Sequence, residues 1–292
     1  MQVVKRTPWF PGGIVLVGMP MDTTVTYRPG ARWGPTGIRS SIGALEHYSP
    51  YLKKTMVASM YKDAGDLRLP LGNTVRSLAL IRDFFRNLST EGSWPIALGG
   101  EHLVTLPIVE AMLETYPDLV VLQLDAHADL CDSYMGEALS HATVMRRVVE
   151  RLGSGRRLYQ FGIRSWTEEE EAYAQRERVH QYPLLDTNSM GVSMEACLAD
   201  LADLPPHTPL YVTLDVDVLD PAYAPGTGTP EPGGLSTLQL LSFLHRLSYS
   251  AHRIVGVDLV EVAPDLDPTG QTGVLGAKLL REVVLGFPPE RR

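Results

Sequence analysis

Two short segments of this 292-residue chain carry metal-type ligands at alternating positions: Asp125-Ala126-His127-Ala128-Asp129 and Asp215-Val216-Asp217. Residues two apart on a strand share a face. Asp125, His127 and Asp129 can therefore converge, and so can Asp215 and Asp217. Four carboxylates packed this closely cannot all stay ionised without a cation among them. His102, which closes the segment Gly99-Gly100-Glu101-His102, adds a second imidazole. Six donors are too many for one ion in a compact site. They suit a pair of octahedral, oxygen-rich cations with some carboxylates shared, and Mn²⁺ fits that mixture better than zinc, which favours fewer ligands in a tetrahedron. Two such ions roughly 3.5–4 Å apart can lower the pKa of a water between them enough to give hydroxide at neutral pH. Solvated carboxylates at strand ends would explain either segment alone; the three together point to a metal centre.

The elements that must position these groups alternate along the chain. Apolar runs at Ile14–Met19, Trp94–Leu98, Leu119–Leu124, Arg157–Ile163, Val179–Tyr182, Leu210–Leu214 and Ile254–Val260 read as strands. Helical spacing is expected over Pro35–Tyr48, Thr74–Leu88 behind an Asn73 cap, Leu103–Tyr116, Ala142–Leu152 and Glu168–Arg178. It is expected again over Met194–Leu201 behind a Ser193 cap, Thr237–Leu247 behind a Ser236 cap, and Gly273–Leu285. Strands alternating with helices imply an α/β fold, with parallel pairing and helices on both faces. No linker is visible, so a single domain over residues 1–292 is expected. Ligands of such sheets sit at the carboxyl ends of the strands, where the Asp and His clusters lie. Two irregular loops, Leu130–Ser140 and the Pro- and Gly-rich Asp220–Gly234, flank those ends and are candidates for building the site.

His141 begins a helix, where the dipole disfavours its protonated form. It reads either as a proton shuttle to a leaving amine or as an ordinary histidine of a capping region. Glu261, just past the strand Ile254–Val260, reads either as a carboxylate that accepts paired hydrogen bonds from a guanidinium or as a structural salt-bridge partner. Cys131 reads as a packing residue, because hard oxygen ligands do not select a thiolate partner. Two cysteines are too few for a disulfide framework, and no secretory leader is evident, so the cytoplasm is the expected location. The run Ile14–Met19 is too short to span a membrane. The net charge of −8 comes without a basic stripe, so no nucleic-acid partner is expected. That balance leans toward a cationic substrate, or simply toward solubility.

Gly99-Gly100-Glu101-His102, Asp125-Ala126-His127-Ala128-Asp129 and the long run Asp215–Gly228 resemble the ureohydrolases, the family of arginases and agmatinases. The resemblance runs from Tyr27 to Glu261 and beyond. It implies a three-layer αβα sandwich around an eight-stranded parallel sheet, a binuclear Mn²⁺ centre, and hydrolysis of a guanidinium to urea and an amine in homo-trimers or homo-hexamers. It also implies roles. His102 and Asp129 would hold one metal and His127 and Asp217 the other, with Asp125 and Asp215 bridging. His141 would be the proton shuttle and Glu261 the guanidinium clamp.

Within the family, Tyr27–Pro35 and Gly226–Gly234 are similar to agmatinases. Arginases place an Asn and a Ser/Asn pair in the first site loop to hold an α-amino acid. The loop here carries Asp132 and Glu137 instead. These acids would repel a carboxylate and favour an amine-ended tail, or they are solvated loop charges. Agmatine, cleaved to urea and putrescine, is the expected substrate. Alternatives are N1-aminopropylagmatine (cleaved to spermidine), guanidinobutyrate and arginine. A non-catalytic regulatory subunit is a further alternative, but it would be expected to have lost ligands that are all present here.

Overall fold

The computed structural model describes residues 11–185 and 189–287. In chain order the elements are β1 (Ile14–Met19), α1 (Gly34–Ser41), β2 (Tyr48–Ser49), β3 (Lys54–Thr55), β4 (Tyr61–Asp66), α2 (Thr74–Thr90), β5 (Trp94–Gly99), α3 (Thr105–Leu113) and β6 (Val120–Leu124). There follow α4 (Val144–Leu152), β7 (Leu158–Phe161), α5 (Glu168–Glu177), β8 (His180–Tyr182), α6 (Ser189–Ala202), β9 (Pro209–Asp215), α7 (Thr237–Ser248), β10 (Arg253–Val260) and α8 (Gln271–Gly286). Eight strands form one sheet in the order β4-β1-β5-β10-β9-β6-β7-β8, and every neighbouring pair is parallel. β2 and β3 form a small antiparallel hairpin apart from it.

The strands are apolar along their length because helices cover both faces of the sheet. Leu78, Ile81, Phe85 and Leu88 of α2 pack with side chains of α3, α4 and α5 against Val15, Val17, Val121 and Tyr211. Ile38 of α1 and residues of α6, α7 and α8 pack on the opposite face, against Leu16, Leu98, Leu122 and Val212. The αβα layering expected from the sequence is therefore present. Because the strands run one way, all their carboxyl ends lie on one rim. β5, β10, β9 and β6 are consecutive neighbours at its centre; His102, Glu261 and Asp125 follow β5, β10 and β6, and Asp215 ends β9.

Local signals explain most element boundaries. The Asn73 side chain accepts the Arg76 N–H at 3.0 Å and starts α2. Ser236 and Gln239 form a reciprocal capping box at α7. Three expectations need correction. The expected helix Pro35–Tyr48 ends at Ser41, passes through a 3-10 turn at Ile42–Ala44 and turns into β2 at Tyr48. Ser193 is not a cap: it lies inside α6, which begins four residues earlier, and its hydroxyl donates to the Pro183 carbonyl at 2.7 Å. The edge strand β4 was not anticipated, because Tyr61-Lys62-Asp63-Ala64-Gly65-Asp66 has no apolar run and is only partly covered.

Candidate metal centre

The site rests on one polar layer of the sheet. Asp258 of β10, Thr213 of β9, Gln123 of β6, Gln160 of β7 and Gln181 of β8 are register partners across five adjacent strands. The first four are fully buried. Gln181 Nε2 donates to Gln160 Oε1 at 2.8 Å, Gln160 Nε2 to Gln123 Oε1 at 2.5 Å, and Gln123 Nε2 to Asp125 Oδ2 at 2.6 Å. Thr213 Oγ1 donates to Asp258 Oδ1 at 2.6 Å and lies 2.9 Å from His102 Nε2. A hydroxyl has one proton to give. With that proton on Asp258, His102 must donate from Nε2, which leaves its Nδ1 lone pair for a cation.

The six ligand-type residues converge, but through turns and not through strand alternation: residues 125–129 lie past the end of β6, and Asp217 lies in a 3-10 turn at Val216–Val218 after β9. His102 Nδ1 lies 2.9 Å from Asp125 Oδ2, 3.2 Å from Asp129 Oδ2 and 3.4 Å from Asp215 Oδ2. His127 Nδ1 lies 3.0 Å from Asp217 Oδ2 and 3.7 Å from Asp125 Oδ1. Two three-residue groups have metal-holding geometry, His102/Asp125/Asp129 and Asp125/His127/Asp217, and Asp125 belongs to both. Backbone N–H groups hold the other carboxylate oxygens. His127 N donates to Asp125 Oδ1 at 2.7 Å, Ala126 N to Asp217 Oδ1 at 3.0 Å, and Asp217 N to Asp215 Oδ1 at 2.9 Å. His102 Nδ1 and Asp217 Oδ2 are buried without a hydrogen-bond partner. Orphaned buried donor atoms of this kind fit a site built around cations.

Electrostatics agree. Burial and the neighbouring Asp125 charge push the Asp129 carboxyl up to about 7. Burial, then Asp217 and Asp125, push Asp215 well above the carboxylate range. Burial works against the charged form of His127, yet Asp217 and Asp125 carry it up to about 12. The cluster thus holds protons where it needs positive charge, and divalent cations would supply that charge instead. His141 behaves oppositely: burial presses it down to about 4, so its imidazole is neutral at neutral pH. Burial, then Glu101, push Glu261 up to about 8, and its Oε1 accepts the His102 N–H at 2.7 Å.

Two ligating-type carboxylates come with unusual backbone. Asp129 and Glu261 are left-handed, at φ 56° and 61°, a conformation costly for a residue with a Cβ. Each is held from outside. The Asp129 carbonyl accepts the N–H groups of Met145 and Arg146 at the start of α4, and Glu261 N donates to the Gly100 carbonyl at 2.9 Å.

Above this cluster opens a cavity of about 270 Å³, lined by residues that include His102, His127, Asp129, His141, Asp215 and Glu261. Cys131, Tyr134, Trp166, Glu170 and Thr229 also line it. No lysine or arginine is among the described residues that line it. Thr229 brings in the Pro-rich loop, which Arg164 pins by donating to the Glu231 and Asp217 carbonyls at 2.6 and 2.7 Å. Asp132 is not brought to this cavity: its carboxylate pairs with Arg147 at 2.9 Å and Arg146 at 3.1 Å, which neutralise it. Glu137 faces a neighbouring depression with Thr24 and Met135 instead. Sequence reasoning missed Gln123, Thr213 and Asp258. Their signal was available, since each is a polar residue set between apolar ones near the end of a site strand.

The arginase family model matches residues 12–286. The chain is 43% identical over 288 residues to an agmatinase of Bacillus subtilis (strain 168), covering 98% of this chain and 95% of that protein. It is 45% identical over 288 residues to an agmatinase of Bacillus anthracis, covering 97% and 95% respectively. The crystal structure of a putative agmatinase from Clostridium difficile superposes with a TM-score of 0.88 at 35% identity, over 94% of this chain and 97% of that one. The chain therefore belongs to the arginase family, the ureohydrolases. Within that family it is an agmatinase-like enzyme.

Proposed function

We propose that the protein is a single-domain, cytoplasmic, homo-oligomeric ureohydrolase that loads two Mn²⁺ ions and cleaves agmatine to urea and putrescine. In this reading His102 and Asp129 would hold one ion and His127 and Asp217 the other, with Asp125 and Asp215 contributing to both. The observation that carries it is the sharing of Asp125 by two three-ligand groups gathered on one rim of the sheet from the ends of β5, β6 and β9. When bound, the metal pair supplies an activated water and neutralises the crowded acids. Glu261, a buried carboxylate lining the cavity, accepts the guanidinium and orients its carbon over the cluster. His141, neutral in its resting state, carries a proton to the departing amine.

A cavity lined by Asp129, Glu170, Asp215 and Glu261, with no lysine or arginine among its described residues, supports a cationic tail over a carboxylated one. That lining supports agmatine and N1-aminopropylagmatine over guanidinobutyrate and arginine. Kinship at 43% and 45% identity with agmatinases supports the first of these. Urea release by the Mn²⁺-loaded enzyme from all four guanidines is the test. Agmatine should give the highest kcat/KM, and Asp129→Ala should lose both metal and turnover. Preference for a carboxylated guanidine, or an Asp129→Ala variant as active as wild type, would refute the reading.

A further inference from the structure

Glu101 is fully buried yet belongs to neither three-ligand group of the cluster beside it. Its carboxylate takes four donors from the loop that follows β1. Oε2 accepts the Thr24 hydroxyl at 2.6 Å and Thr24 N at 2.8 Å, while Oε1 accepts Thr23 N at 3.2 Å and the Thr23 hydroxyl at 3.3 Å. Thr24 in turn faces His141. Its Oγ1 accepts the His141 backbone N–H at 3.0 Å and lies 3.4 Å from the ring Nδ1.

Proton counting settles the direction of that last contact. The Thr24 hydroxyl owns one hydrogen, and a carboxylate oxygen 2.6 Å away can only accept it. Both remaining lone pairs of Oγ1 then look toward His141. One takes the backbone N–H, and the other can accept a proton from Nδ1, whereas Thr24 has none left to give it. Ser140 Oγ, 3.3 Å from the same Nδ1, can share that proton as a second acceptor. The logic repeats the Asp258–Thr213–His102 chain elsewhere in the site, with the site-facing and committed ring nitrogens exchanged.

Resting on the ureohydrolase reading above, we infer that Thr24 and Glu101 are positioning residues for His141, fixing the tautomer with Nδ1 protonated and Nε2 basic. Nε2 is then the single atom that takes up a proton and passes it to the leaving amine. While the ring is transiently cationic, its Nδ1–H points at a hydroxyl polarised by a buried carboxylate. The same division of labour, an orienting acid behind a working imidazole, serves catalytic triads.

The test is a double-mutant cycle on the Mn²⁺-loaded enzyme, with urea release from agmatine as readout. Thr24→Val keeps the shape and removes the hydroxyl. It should lower kcat by about 10–100-fold with KM within about threefold of wild type, the pattern of a lost transition-state interaction. Thr24→Ser should recover to within about threefold of wild type, and Thr24→Val should cost under about twofold in a His141→Asn background. If Thr24→Val fails to fold, Thr24→Ala takes its place in the same cycle. An equal loss in both backgrounds would make Thr24 merely structural and overturn the relay, as would a Thr24→Val enzyme of wild-type kcat. A wild-type enzyme that releases urea from no guanidine would instead overturn the functional reading itself, and the relay with it.

Discussion

The threonines behind the two working histidines show how single atoms decide protonation here. Thr213 passes its proton to Asp258 and so receives one from His102 Nε2. Replacing it by valine removes the acceptor for Nε2 and one of the three hydroxyl donors to Asp258, beside Thr105 and Tyr211. Thr213→Val should weaken metal binding by about 10–100-fold, the usual cost of losing an outer partner of a metal-bound histidine. Titration of the metal-free protein with Mn²⁺ would measure it, and unchanged affinity would show that His102 holds its tautomer without help. The ligand types themselves were legible in the sequence, since alternate Asp and His residues after an apolar run have few other uses. Their supporting hydroxyls and amides were not. Thr24 and His141 are 117 positions apart, and Thr213 and His102 are 111 apart; only the folded sheet makes them neighbours.

Strands and turns act at the next scale. The amide ladder from Gln181 through Gln160 to Gln123 ends on Asp125, the residue common to both ligand groups. Gln160 also donates to the Ala128 carbonyl at 2.7 Å. Gln160→Leu has nearly the same volume but strands the amide of Gln181, the carbonyl of Gln123 and that of Ala128. It should cost about 2–6 kcal/mol, at about 1–3 kcal/mol for each of the two fully buried groups, on Gln123 and Ala128, left unsatisfied, measured by urea denaturation. An unchanged midpoint would mean that water replaces the ladder. Gly100 is a sharper constraint. A Cβ there would sit 2.1 Å from the Met21 carbonyl oxygen and 2.7 Å from that of Met19, both backbone atoms that cannot swing aside. Gly100→Ala should force the β5 turn and the loop bearing Thr23 and Thr24 apart, lowering both melting temperature and kcat. A variant with wild-type values of both would show that the turn tolerates the shift.

The strands flanking the site were readable because both faces are buried, which demands continuous apolar sequence. The edge strand β4 was not, because an edge needs no such run and here carries Lys62, Asp63 and Asp66. The helix expected over Pro35–Tyr48 had apolar spacing enough to mislead, but the chain turns at Ile42–Ala44 to reach the β2–β3 hairpin.

Across the whole molecule, a crowded acidic centre ties stability to metal and to pH together. Without metal, Asp129 in the folded chain keeps its proton up to about 7 and Glu261 up to about 8, well above an unfolded carboxyl. The folded state then binds more protons than the unfolded state, so stability is lost as pH rises from about 4 to 8. His127, held up to about 12, acts in the same direction above its unfolded value. Bound cations take the place of those protons and bind more tightly as pH rises. The melting temperature of the metal-free protein should therefore fall between pH 5 and pH 8 relative to the Mn²⁺-loaded form, so that the gap widens with pH. At a thousandfold excess over its Kd, one ion stabilises by about 4 kcal/mol. Scanning calorimetry with and without chelator checks this, and a gap that narrowed toward pH 8 would contradict the charge arrangement described for the centre.

One-way strands also divide labour between the two rims of the molecule. The chemistry occupies one, and the turns at the other, such as exposed Pro117 and Asp118 before β6, carry none of it. A cysteine installed at Asp118 would offer an ordinary, reactive thiol for tethering the enzyme to a bead or electrode. The native Cys131, whose thiol burial pushes up to about 12, would stay largely unlabelled at neutral pH. Coupled by that handle, the catalyst would face outward from its support with its entrance unobstructed.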